Sequence, residues 1–354
     1  MSYHFLLDIA LILISTKLFG LVTRRFQMPQ VVGALLAGLL LGPACLGWLQ
    51  ATDFLTQIAE LGVIVIMFTA GIGTDLAELK QTGKSGMLVA VCGVLVPLAA
   101  GAGLMALFNR GEFAHPGNVL LQNVFVGVVL TATSVSITVE TLKEIGKLST
   151  KVGNTILAAA LIDDILGLVC LTIVTSLAGA DVNIWIVLLK IVGFFVFAAV
   201  VAFGYNHLMR WYERRVQERN LRRFPIAAFV LCLLMAFAAE ELFGVADIIG
   251  AFAAGVIVAS TPKAGYIESK FSPLSYLLLT PVFFASIGIK VELPGMDGMV
   301  LLFAVLLKAA FKGEEKYAGF EQSDLVDQYE RKEQLDMVQE RLLQAEEKRK
   351  NARQ

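Results

Sequence analysis

The fold class predicted by this sequence is all-α: a polytopic membrane protein carrying an internal inverted repeat. Three observations carry that reading. The 354 residues are 57% hydrophobic and 17% charged, with a mean hydropathy of +0.73, where soluble domains average about 25% charged. The charges gather in short clusters that separate long uncharged runs. Two apolar stretches near the N-terminus recur, one after the other, in the second half of the chain. The formal net charge of −1 carries no signature of a nucleic-acid partner.

Hydropathy and helix breakers predict eleven membrane helices, near residues 4–22, 30–47, 54–74, 85–108, 119–142, 152–179, 182–208, 223–242, 245–261, 271–291 and 298–311. The first lacks the basic flank of a cleaved signal and counts as structure. Arg24 and Arg25 follow helix one, Lys80 and Lys84 helix three, and Lys143, Lys147 and Lys151 helix five. Arg210, Arg214, Arg215, Arg219, Arg222 and Arg223 follow helix seven, and Lys263 and Lys270 helix nine. These loops share one face, and the opposite loops carry only Arg110 and Lys290. The positive-inside rule then places the N-terminus outside and the C-terminus in the cytoplasm of a multi-pass protein of the inner (plasma) membrane. Cys45, Cys92, Cys170 and Cys232 have no ligand spacing and read as small buried residues, without a disulfide framework or zinc site. His4, His115 and His207 are scattered and receive no role.

The repeat is visible residue by residue. "VVGALLAGLLLGP" (31–43) aligns with "IIGAFAAGVIVAS" (248–260), so that Gly33, Ala34, Ala37 and Gly38 meet Gly250, Ala251, Ala254 and Gly255. In the next helices "MFTAGIG" and "VFFASIG" align, with Phe68, Ala70, Ile72 and Gly73 meeting Phe283, Ala285, Ile287 and Gly288. Small-residue faces recur in membranes because they allow close helix packing, but two consecutive helices matching at nearly one offset indicate a repeat. Helix two pairs with helix nine, an odd number of crossings away, so the repeats are inverted. Inverted repeats with broken helices at the bilayer midplane are a mark of secondary transporters.

Helix five contains "TATSVSIT" (131–138), in which Thr131, Thr133, Ser134, Ser136 and Thr138 supply hydroxyls. Such side chains satisfy backbone groups freed where a membrane helix unwinds, offer neutral oxygens to a cation, or simply bind helices together. The following helix holds "ALIDDILGL" (160–168), and from 153 to 179 Asp163 and Asp164 are its only charged residues. They lie roughly 15 Å along a helix rising 1.5 Å per residue, near the midplane, where each charge costs about 3 kcal/mol to insert. Adjacent helical residues point about 100° apart, the turn of a 3.6-residue helix. One carboxylate can therefore face a water-filled ion cavity while its neighbour meets a basic partner or a proton. Such a pair titrates as a coupled unit, and a hard monovalent cation such as Na⁺ competes with protons for the same oxygens. That competition couples their exchange.

"TATSVSIT", "TLKEIGKLSTKVGNTILAAALIDDILGL", "IAELGVIVIMFTAGI" and "IIGAFAAGVIVA" resemble the monovalent cation:proton antiporter-2 family over about residues 4–310, and the paired aspartates resemble its sodium/proton members. The resemblance implies the inverted-repeat antiporter fold, in which a core bundle moves against a dimerisation bundle. It implies a secondary active transporter that exchanges Na⁺, with Li⁺ or K⁺ as alternatives, for H⁺ by alternating access, as a homodimer among membrane lipids, with no cofactor and no enzymatic activity. By carry-over Asp164 binds the transient Na⁺ or the proton, Asp163 pairs with a lysine on a later helix, and Thr133 and Ser134 sit in the matching break. Glu60 and Gly62 match a stretch read as helix packing. Lys308 is the candidate salt-bridge partner, with Lys312 a weaker one. Family members carry a basic residue near the end of helix five, where this chain reads Val139–Glu140.

Near Phe311 the composition turns charged, and Leu335, Val338, Leu342 and Ala345 follow helical spacing. The reading is a transmembrane exchanger domain over 1–310 and a charged cytoplasmic helical tail over 311–354. Completing the repeat takes about thirteen helices, so the expectation is an exchanger that lacks the mates of the broken and acidic helices, inserts into the membrane and exchanges cations poorly. The alternatives are a non-transporting truncated or rearranged antiporter product and a sodium-coupled solute symporter of the same fold. An intramembrane aspartyl protease is disfavoured, because its two carboxylates must face each other from separate helices.

Overall fold

The computed structural model describes residues 3–26, 28–74, 76–109, 118–178, 183–215 and 223–291. The eleventh predicted helix, Lys308, Lys312 and the tail lie outside the described residues. Twelve α-helices follow in chain order: α1 His4–Arg25, α2 Gln30–Leu41, α3 Asp53–Ile72, α4 Leu76–Phe108, α5 Val119–Thr131, α6 Val135–Glu144, α7 Lys151–Leu177, α8 Ile184–Arg215, α9 Arg223–Phe237, α10 Asp247–Ala259, α11 Ala264–Leu274 and α12 Thr280–Ile289. A π-helical stretch, Ala238–Leu242, extends α9, and another, Ser275–Leu279, joins α11 to α12. Among the described residues eight helical spans are long and apolar enough to cross a membrane, while α2 and α10 are shorter.

These elements match the first ten predicted helices, with corrections at their ends. The second stops at Leu41 rather than 47, because Gly42 turns extended ahead of Pro43. The fourth begins at Leu76 rather than 85, and the seventh runs to Arg215 rather than 208, since helical structure outlasts the apolar run. The tenth starts at Ala264 rather than 271, and Pro273 lies inside it. Proline removes a backbone donor from the helical ladder, and the π-helical stretch at Ser275 follows directly. The cysteines depart from expectation as well: all four are free, but Cys45 and Cys92 are exposed and only Cys232 is buried.

The helices form two groups. α4, α5 and α7 pack on one another, while α1, α2, α3, α9, α10 and α12 form the second group. α6 packs on α7 and also reaches α2 and α3, and α8 touches α7 and α10. The largest buried side chains, Phe68, Phe194 and Phe284, are fully enclosed, and Phe68 of α3 meets Phe271 of α11 edge-on.

The repeat appears in the packing. Close backbone approaches run between repeats: a Cβ added at Gly38 of α2 would collide with the Ala285 carbonyl of α12, and one at Gly255 of α10 with the Phe68 carbonyl of α3. In return Gly288 of α12 abuts the Leu35 carbonyl, and Gly71 of α3 the Phe252 carbonyl. Only a residue without a side chain lets backbones approach so closely. The same correspondence holds at the helix starts. Both short helices follow residues in similar extended conformations, Pro29 and Ala246, that cap with no side chain. Each first amide then donates to a distant glutamate: Gln30 N–H to Glu144 Oε2 at 2.7 Å, and Asp247 N–H to Glu240 Oε2 at 3.2 Å. Gly62 fits the packing role read for it, since an added Cβ would stand 3.0 Å from the Leu279 carbonyl oxygen.

Candidate functional site

The predicted break in helix five is real and narrower than the sequence stretch that announced it. α5 ends at Thr131 and α6 begins at Val135, with Ala132 and Ser134 in extended conformation between them. The hydroxyls do what an unwound membrane helix requires. Thr131 Oγ1 donates to the Val128 carbonyl at 2.8 Å and Thr133 Oγ1 to that of Thr131 at 3.4 Å. Ser134 Oγ accepts from Ile137 N–H at 3.4 Å, an N-cap for α6, and Thr138 Oγ1 donates to the Ser134 carbonyl at 3.1 Å. The negative end of the α5 dipole and the positive end of the α6 dipole therefore meet across residues 132–134.

α7 carries the acidic pair past this break. Its start is fixed by Thr150, whose hydroxyl accepts from Gly153 N–H at 3.1 Å. Asp163 is buried, 7% exposed, and Asp164 is half-buried. Thr133, in the break, is the polar side chain that bears on the Asp163 carboxylate. Thr131 Oγ1 stands 3.8 Å from the position a Cβ on Gly167 would take, one turn beyond the pair. Asp163 Oδ1 is buried without a hydrogen-bond partner among the described residues. The structure thus brings Asp163, Asp164 and Thr133 together. Ser134 is engaged in capping α6, and Lys308 lies outside the described residues.

The sequence reading missed the far end of α6. A cavity of about 500 Å³ is lined there by Glu140, Lys143, Glu144, Thr69, Glu268 and Lys17, among others. Lys143, read as a loop charge, donates from Nζ to Thr69 Oγ1 at 2.7 Å and lies 3.5 Å from the Ile66 carbonyl of α3. A basic residue thus stands inside the last turn of α6, one turn after Glu140. The signal was available in the spacing: residues 140, 143 and 144 share one helical face. Lys17 stacks over the Tyr276 ring at 3.8 Å, across α1 and the second π-helical stretch.

Inverted repeats that pack into each other, with a broken membrane helix laid against a pair of carboxylates, define a secondary active transporter. The match to the sodium/hydrogen exchanger transmembrane family covers residues 10–312, and the chain belongs to that family of cation/proton antiporters. It is similar to the Na(+)/H(+)-K(+) antiporter GerN of Bacillus cereus, 39% identical over 313 residues that cover 86% of this chain and 76% of that protein. It is similar also to a Na(+)/H(+) antiporter of Enterococcus hirae, 34% identical over 306 residues, 85% of this chain and 77% of the other. In fold it resembles the sodium proton antiporter MjNhaP1 of Methanocaldococcus jannaschii, with a TM-score of 0.64 at 18% identity over 87% of this chain and 74% of that one.

Proposed function

We propose that this antiporter exchanges Na⁺, with K⁺ or Li⁺ as alternative cargo, for H⁺ at Asp164. The observation that supports this most directly is the placement of Thr133, in the break, against Asp163, with Asp164 next in sequence on α7. A half-buried carboxylate beside an unwound helix is open to both a proton and a small cation, whose hard charge favours oxygen ligands. Binding one releases the other, and alternating exposure of that site to the two sides turns competition into exchange. Asp163, with Oδ1 buried and without a hydrogen-bond partner among the described residues, is the partner that sets how much charge moves per cycle, with Lys308 its candidate counter-charge. Thr133, and Ser134 through its carbonyl or hydroxyl, supply neutral oxygens. Residues 1–310 form the exchanger, 311–354 a charged helical tail, and the working unit is a homodimer.

The test is flux into proteoliposomes containing the purified chain, under an imposed pH gradient, with Na⁺, Li⁺ and K⁺ offered in turn. Saturable, gradient-driven uptake of one or more of these supports the reading and overturns the expectation, drawn from the repeat, that the chain exchanges cations poorly. Uptake equal to that of empty vesicles with all three would refute it.

Orientation carries its own prediction. By the positive-inside rule the basic loops favour the cytoplasmic side for residues 210–223 and the α6–α7 turn. A cysteine introduced at Arg219, in a background lacking the native four, is expected to resist membrane-impermeant thiol reagents in intact cells and to react after permeabilisation. Ready labelling from outside would invert the topology.

A further inference from the structure

α6, the half-helix that follows the break, crosses the seam between the two helix groups, and its last turn does so with two adjacent residues of opposite charge. The Lys143 ammonium sits on the closing turns of α3, 2.7 Å from Thr69 Oγ1 and 3.5 Å from the Ile66 carbonyl. The Glu144 carboxylate sits on the first amide of α2, 2.7 Å from Gln30 N. Glu144 thus meets the positive end of α2, Lys143 meets a hydroxyl in the last turn of α3, and charge-assisted hydrogen bonds of this kind are roughly twice as strong as neutral ones. Glu140, a turn back on α6, and Glu268 of α11 are the acidic groups whose fields bear on Lys143, and Lys17 is a second cation on the same cavity wall. The cavity itself lies in the seam, with α6 on one side and α2, α3 and α11 on the other.

We propose that Lys143 and Glu144 are positioning residues that act as a two-pronged latch, fastening the broken helix to the ends of α3 and α2. The latch holds the conformation in which this cavity faces the α6–α7 turn. It rests on the reading that exchange moves the α4–α7 group against the other helices, a motion in which these two contacts must open and re-form. Loosening the latch depopulates the conformation that takes up cation from the cavity side. Apparent affinity falls in proportion to the population of the binding-competent state, so the loss is confined to one side of the membrane. A residue that merely supported the fold would affect both sides alike.

The test uses the full chain in two measurements. In right-side-out and everted membrane vesicles, Lys143→Met and Glu144→Gln are expected to raise the KM for Na⁺ several-fold when Na⁺ is offered on the α6–α7 side, and to lower KM from the opposite side or leave it unchanged. Lys143→Arg, which keeps both donors, is expected to restore the wild-type values. Equal changes on both sides would overturn the proposal. The second measurement needs no transport: hydrogen–deuterium exchange of the solubilised protein. Glu144→Gln is expected to speed exchange at Gln30, while Asp247, the corresponding amide held by Glu240, exchanges as in the wild type. Unaltered exchange at Gln30, or the same change at both positions, would also overturn it. A wild-type chain without exchange activity would count against the proposed function, and the amide rates would still decide the latch.

Discussion

Asp164→Asn is expected to reduce cation-driven proton flux to the leak of empty vesicles while leaving the protein folded. The carboxamide is nearly isosteric, so α7 keeps its packing, but it neither binds a proton near neutral pH nor offers a negative charge to a cation. An exchange that depends on the two competing for one group loses both half-reactions at once. Asp163→Asn is expected to be milder. Thr133 bears on Asp163 from the break, and an amide keeps a carbonyl oxygen at that position while removing the charge from the cycle. Flux should persist with an altered response to a clamped membrane potential. The measurement is uptake of radiolabelled Na⁺ in proteoliposomes with and without the clamp, beside a thermal-stability check of each variant. Substantial exchange by Asp164→Asn would displace the carrier role to another residue.

Gly255→Val and Gly38→Val are expected to produce the largest loss of stability among substitutions of single small residues in α2 and α10. Ordinary overpacking of a core costs about 1–3 kcal/mol because side chains shift to make room. Here the obstacles are backbone carbonyls, Phe68 for Gly255 and Ala285 for Gly38, and a carbonyl in a membrane helix cannot turn aside without losing its hydrogen bond. The helices must separate instead. Gly93→Val in α4 is the control, since an added Cβ there meets nothing within 4 Å. Melting of the detergent-solubilised variants, followed by loss of monodisperse protein, should show a marked fall for the first two and little change for the third. Equal midpoints in all three would mean that the repeat interface is looser than described.

Much of this was readable from residue order alone. The ten helices up to residue 291 follow from hydropathy, because a bilayer enforces apolar runs of fixed length. The break follows from the density of hydroxyls in 131–138, since few other sequences can unwind inside a membrane without stranding backbone groups. The repeat pairing of α2 with α10 follows from four aligned small residues. What escaped was everything that depends on the third dimension. Lys143 sits just beyond an apolar run, among other cations, and hydropathy treats it as loop; the helical spacing puts it on one face with Glu140, and its reach to Thr69 appears only in the packing of α6 on α3. The segment from Ala264 to Lys270 is amphipathic and so scored as connection, although the helix continues through it. The exposure of Cys92 reflects which face of α4 turns away from α5 and α7, a matter that composition does not encode.

The packing of α2 against α12 and of α3 against α10 has a consequence for how the protein is made. The chain between Gly38 and its facing carbonyl at Ala285 takes about 10–50 s to synthesise at ~5–20 residues per second. α2 enters the bilayer with its partner unwritten, and α3 waits likewise for α10. For that interval the nascent half carries bare glycine faces shaped to accept a helix it does not yet possess. Any neighbouring helix with a suitable ridge competes for them, a second nascent copy of the same chain included. The biogenesis of the protein is therefore a race between translation and premature pairing, and the rate at which ribosomes traverse the middle of the message becomes a determinant of how much correctly assembled exchanger a cell obtains.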